Sequence, residues 1–283
     1  MPLRSAFPIQ NNSIKLNPVS MEHEKLLEIY TKTFSSWVTN GSSKLHGFDK
    51  FGHASFCHGS VQAFDHFYLK HHLRRMRFFR GEFMYHQVCL KNSVDWCYID
   101  DEPLTENDAV IISCPFSDLG DVHPEMNHLM EKCTQLNIPV LVDMAYICIS
   151  KDLNVDLSHA CIETITSSIS KAFYGAQFLR AGIRWQRQDI DDGIDFFNKN
   201  HQVPGHSIAC AIDFMKNHSV DWNWETYENI YNQVVNKLDL KSTKCILFGL
   251  GEEQYQEFNR GSQWNRVCIS QEIGESYARM QSQ

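Results

Sequence analysis

Two apolar runs, Ala109-Val110-Ile111-Ile112-Ser113-Cys114 and Pro139-Val140-Leu141-Val142, flank a helix-length segment at Pro124–Leu136. Strands that are apolar on both faces must be covered on both sides, and a helix between them makes the connection a crossover. That pattern predicts a mostly parallel sheet flanked by helices, an α/β fold. The same alternation runs upstream. A helix from Gly59 to about Leu73 precedes a strand near Met76–Phe79, a short helix near Met84–Leu90 and a strand at Trp96–Ile99. Downstream, one strand leads through Thr164-Ile165-Thr166 and another covers Ala181–Gln186. Residues 20–37 carry apolar positions at helical spacing (Leu26, Leu27, Ile29, Tyr30, Phe34, Trp37), and a loop rich in Gly and Ser follows. Asp189 to about Leu240 reads as largely helical, and two further strands are expected at Cys245–Phe248 and Arg266–Ser270. The chain therefore divides into an N-terminal arm forming part of a small domain (1–48), a large domain (49–190), and a helical connection with a reduced α+β small domain (191–283).

A net charge of −8 leaves no basic stripe for nucleic acid. The dense basic run Lys70-His71-His72-Leu73-Arg74-Arg75 is expected at a helix end, where cations complement the macrodipole. No apolar stretch reaches the length of about 18 residues that a spanning helix needs, and Met1-Pro2-Leu3-Arg4 lacks the apolar core of a secretory signal. The ten cysteines are scattered without a CxxC pair, which suits reduced thiols in the cytoplasm. His53, Cys57 and His58 raise the question of zinc, but no second pair at ligand spacing completes a set, and no metal is expected.

Three segments carry chemistry. Asp143-Met144-Ala145-Tyr146 follows one buried strand, and Ser167-Ser168-Ile169-Ser170-Lys171-Ala172-Phe173 ends another. In an open parallel sheet, ligands bind beyond the carboxyl ends of the strands, so the acid, the phenol and the amine can meet in one crevice. His58-Gly59-Ser60-Val61 opens the first long helix, where free backbone N–H groups and the helix dipole favour an anion. Taken singly, each segment has a plain structural explanation; their order along the chain gives them weight.

That order resembles the fold-type-I pyridoxal 5′-phosphate (PLP) enzymes of the aspartate-aminotransferase-like, class I/II aminotransferase family. The resemblance is good over roughly residues 50–187 and implies a PLP-dependent transferase-like fold with 49–190 as the cofactor-binding domain. It makes Lys171 the amine that forms a Schiff base with the cofactor aldehyde and shuttles a proton, and Asp143 the partner of the ring nitrogen. Tyr146 would donate to the cofactor's phenolate oxygen. Gly59, Ser60 and Val61 would form the phosphate turn, joined by Ser168 and by Arg180 in Arg180-Ala181-Gly182. The Lys171–Arg180 spacing is about one residue longer than usual, which a bulge near Gly175 could absorb; Arg184 is the fallback. Phe83 would lie against the cofactor face, with Tyr85 as substitute. In Cys114-Pro115-Phe116-Ser117-Asp118-Leu119-Gly120, Ser117 stands where relatives carry an asparagine that holds the phenolate oxygen. Arg266 would grip the substrate α-carboxylate. The implied activity is amino-group transfer between an α-amino acid and a 2-oxo acid by a homodimer. A lyase, decarboxylase or racemase on the same fold is the alternative, and Ser117 together with the short chain motivates a third possibility, a non-catalytic relative.

Overall fold

Every residue of Asp108–Ser113 and of Val140–Asp143 is buried, as strands covered on both faces must be. The computed structural model describes Ile9, residues 23–91 and residues 93–282. In chain order, α1 (His23–Thr39) precedes β1 (Lys44–His46), β2 (His53–Cys57), α2 (Ser60–Lys70), β3 (Arg75–Phe78), α3 (Tyr85–Leu90), β4 (Trp96–Tyr98) and β5 (Asp108–Ser113). Then come α4 (Met126–Gln135), β6 (Val140–Asp143), β7 (Asn154–Asp156), β8 (Ile162–Ser168) and β9 (Gly182–Gln186). Helices α5 (Gly193–Lys199), α6 (Gly205–Asn217) and α7 (Trp222–Lys237) lead to β10 (Phe248–Gly251), β11 (Asn265–Cys268) and α8 (Ser270–Gln281).

Seven strands form the main sheet in the order β2-β9-β8-β6-β5-β3-β4. The pairs from β8 through β4 are parallel, whereas β9 runs antiparallel to both β8 and β2. The expected mostly parallel α/β sheet is therefore present. Its parallel strands β3, β5, β6 and β8 deliver Phe83, Ser113–Ser117, Asp143–Tyr146 and Ser168–Lys171 beyond their carboxyl ends.

Helix α1 packs on the antiparallel end of this sheet. Tyr30 donates its hydroxyl proton to Gly182 O at 2.8 Å, and the Phe34 ring meets Trp185 edge-on at 5.6 Å. Strands β10 and β11 pair antiparallel in a separate small sheet. Among the described residues, no helix is long and apolar enough to cross a membrane.

Several boundaries differ from those the sequence suggests. Strand β2 occupies part of the segment expected as loop. Its first two residues are exposed or half-buried and the three that follow are all buried, so no apolar alternation marks it. Cys245-Ile246-Leu247 is buried but lies in a turn, with Ile246 N donating to Ile149 O at 3.0 Å; strand β10 begins only at Phe248. Ser270 starts helix α8 rather than ending a strand. Only Ser270, Ile273 and Gly274 of α8 are buried, a stripe too narrow to stand out as periodicity. Helix α2 stops at Lys70, and Leu73 is exposed beyond it.

Candidate active site

A cavity of about 210 Å³ opens at the carboxyl ends of the parallel strands. Of the expected residues, Gly59, Ser60, Val61, Phe83, Ser117, Asp143, Tyr146, Ser168, Lys171 and Arg180 all line it. Arg266 does not.

One end is built from close backbone packing. Gly59 has φ +78°, in the left-handed region that favours glycine, and a β-carbon there would come within 2.7 Å of Arg180 Nη2. A β-carbon on Gly182 would lie 2.7 Å from Gly59 Cα. The two glycines thus let the start of α2 and the Arg180 side chain converge. Arg180 Nη2 donates to His58 O at 3.0 Å. Between Lys171 and Arg180, Gly175 takes φ +92° and Arg180 φ +51°, both in the left-handed region. Arg184 is committed elsewhere: its guanidinium holds Asp192 at 2.5 Å and Asp195 at 3.2 Å, which removes it as a phosphate contact. Tyr85 likewise turns away, donating to Asp65 at 2.7 Å, while Phe83 keeps the place at the cavity.

Asp143 ends β6, 6% exposed, with Oδ1 accepting from Ala145 N–H at 3.0 Å. Burial pushes its carboxyl up to about 7 against the opposing pull of the Ala145 N–H, the Ser60 hydroxyl and the Lys171 charge. Burial, and then the positive charge of Arg266, lowers the Lys171 ammonium from its ordinary range. Burial raises the Tyr146 phenol. Ser168 caps the turn that carries Lys171: its hydroxyl oxygen accepts from Ser170 N–H at 3.2 Å and lies 3.1 Å from Ala181 O.

Ser117 N–H donates to Ser113 Oγ at 3.0 Å, and its carbonyl accepts from Arg266 Nη1 at 2.9 Å. Arg266 Nη1 also reaches Tyr146 Oη at 3.4 Å. This arginine therefore stands behind Ser117 and Tyr146, 9% exposed, and its buried Nε–H has no hydrogen-bond partner among the described residues. A second arginine, Arg260, approaches Ser117 Oγ at 3.4 Å while pairing with Asp118 at 3.1 Å.

Further lining comes from Ser170, Gln177, Ser113, Phe64 and Pro115, none of them singled out from the sequence. Ser170 was visible, one residue before Lys171. Gln177 was not, because only the loop that follows Gly175 brings it to the cavity.

A family model for aminotransferase class I and II matches residues 90–246, more than half of the chain. The chain belongs to the class I and II aminotransferase family. Solved structures with the same fold include a PLP-bound C–S lyase from Staphylococcus hominis, with TM-score 0.63, 13% identity, and coverage of 95% of this chain and 83% of that one. An aromatic aminotransferase from Pyrococcus horikoshii gives 0.64 and 15%, covering 94% and 87%. Alanine aminotransferase from Pyrococcus furiosus gives 0.63 and 11%, covering 94% and 84%. At these identities the likeness is one of fold. No curated protein matches the sequence.

The family's cofactor is PLP, and the residues present fit it. The Gly59–Gly182 contact leaves backbone and the Arg180 guanidinium at a helix start suited to phosphate. A carboxyl forced by burial to hold its proton near neutral pH is suited to a cationic partner such as a pyridinium. Among the described residues, no group of three or more His, Cys, Asp or Glu side chains is arranged to hold a metal ion.

Proposed function

We propose that this chain is a PLP-dependent aminotransferase that moves an amino group between an α-amino acid and a 2-oxo acid. The observation that carries the proposal is a single cavity lined by Asp143, Tyr146, Lys171, the start of α2 and Arg180. When bound, PLP supplies an electron sink for the substrate α-carbon. Asp143, ionised against a cation, would keep that sink charged. Lys171, its ammonium already lowered by burial, would take and return the proton at the α-carbon. Ser60 and the N–H groups at the start of α2, with Arg180, would hold the phosphate. Ser117 and Tyr146 would face the ring oxygen, with Ser117 contributing one donor proton where an amide would offer two. Arg266 would meet the substrate carboxylate by bringing its guanidinium forward past Ser117 and Tyr146, which it now backs.

Borohydride treatment of the PLP-loaded protein should leave the cofactor's mass on Lys171 by peptide mass spectrometry. Cofactor found on another lysine, or retained covalently by Lys171→Ala, overturns the assignment. A lyase is the second possibility, since the likeness in fold extends to a C–S lyase as well as to aminotransferases. Adding amino acids to the loaded protein decides between them: transamination leaves pyridoxamine phosphate, whereas a lyase returns PLP and releases the eliminated group.

A homodimer suits the same region. Phe83, Met84 and Val88 on one side, and Tyr174 and Phe178 beside the loop carrying Gln177 and Arg180, are large apolar side chains left exposed. A second copy of the chain would cover them, and light scattering should report twice the 32.9 kDa chain mass. The ten cysteines are free, which fits a reducing compartment such as the cytoplasm.

A further inference from the structure

Glu82 precedes Phe83 and has no part in the roles above, yet it is only 2% exposed. Its Oε1 accepts from Ser113 N–H at 2.7 Å, and Oε2 lies 2.5 Å from Ser113 Oγ. Ser113 lines the cavity and is the direct cross-strand partner of Asp143. Its hydroxyl oxygen also accepts from Ser117 N–H. The Glu82 main chain is pinned as well, its carbonyl accepting from Arg260 Nη2 at 2.5 Å. Two buried carboxyl groups therefore stand on either side of one cavity-lining serine.

A serine hydroxyl has one hydrogen and two lone pairs. With Glu82 ionised, that hydrogen is donated to Oε2. With Glu82 protonated, the acid O–H can donate to Ser113 Oγ, the second lone pair stays with Ser117 N–H, and the serine hydrogen is released toward the cavity. We infer that Glu82 is a positioning residue whose proton turns Ser113 into a hydrogen-bond donor to the bound cofactor. The inference rests on the cavity being a PLP site.

The charges around Glu82 set the direction. It is faced by Asp143 on β6, by Arg260 from the segment before β11, and by the Cys114 thiol, which burial keeps neutral. Burial pushes the Glu82 carboxyl up to about 7; the two Ser113 contacts oppose that, a negative Asp143 adds to it, and Arg260 opposes it.

The test is the PLP dissociation constant of cofactor-free protein at about pH 6 and about pH 8.5, for wild type, Glu82→Gln, Ser113→Ala and the double variant. A glutamine amide accepts from Ser113 N–H and donates to Ser113 Oγ, so Glu82→Gln copies the protonated acid at every pH. Wild-type affinity should fall roughly tenfold more than that of Glu82→Gln between the two conditions, the weight of one hydrogen bond. In the Ser113→Ala background the difference should vanish. Parallel pH slopes for wild type and Glu82→Gln, or a difference that survives Ser113→Ala, overturns the inference while PLP binding itself stands. If Glu82→Gln does not fold, Ser113→Ala alone must flatten the wild-type slope, and an unchanged slope overturns it. Wild type that binds no PLP under either condition removes the site assignment and this inference together.

Discussion

Replacing Asp143 by asparagine should make the cofactor-free protein more stable, and increasingly so as the pH rises. The carboxyl is 6% exposed, and its pKa is raised from 3.8 to about 7, chiefly by burial. Below about pH 4 the folded and unfolded chains both hold the proton, and the group costs nothing. Between about 4 and 7 the unfolded chain releases the proton while the folded one keeps it, so stability falls with pH. Above about 7 both are ionised, and the folded state bears the full cost of a buried charge. At about 1.4 kcal/mol per pH unit, the gap from 3.8 to about 7 amounts to about 4 kcal/mol. Asparagine has no proton to lose and keeps an oxygen for the Ala145 N–H now bound at 3.0 Å. Removing the charge also eases the Glu82 carboxyl, in the same direction. Urea unfolding of both proteins without cofactor, at about pH 5 and about pH 8.5, should show the advantage of the variant growing by about 2–3 kcal/mol. With PLP present the order should reverse, because only wild type gains a charged partner for the carboxylate. An asparagine variant that is less stable at the higher pH, or equally displaced at both, would refute the assignment of a strained acid.

Gly59→Ala should weaken PLP binding at least tenfold, since it forces a β-carbon against Arg180 at φ +78°; Gly52→Ala, where nothing lies within 4 Å of the new carbon, should leave titrations unchanged. Arg180→Gln should raise the PLP dissociation constant with little change in unfolding, whereas Arg184→Gln, which leaves Asp192 and Asp195 without their buried partner, should cost about 3–5 kcal/mol in denaturation. Arg266→Lys should raise the KM for the amino acid more than it lowers kcat, read in steady-state assays; equal losses in both would place this arginine in structural support alone.

The carboxyl-end chemistry was legible because it follows apolar strands. Asp143 closes one run that reads as a buried strand and Lys171 follows another by three residues, and the sheet topology brings both to the same cavity. Arg266 was legible as a residue but not in its placement: only its contacts with Ser117 and Tyr146 show that it backs the wall instead of forming it. Glu82 was invisible, because an acid between Gly81 and Phe83 looks like any turn residue until burial is known. Strand β2 and helix α8 were missed because hydropathy barely marks them: β2 is five residues long with a polar Ser55 among its buried ones, and α8 buries only three residues.

Strand β2 ends with Cys57 opposite Gly182 of β9, placing Gly59 directly beyond the pairing. The end of the cavity proposed to hold the phosphate is thus assembled by joining the sheet's first strand in sequence to its last. Removing residues before Gly59 would spare every side chain proposed to touch the cofactor and still abolish its uptake. Vitamin B6 capture doubles as a test that the sheet's edge has closed.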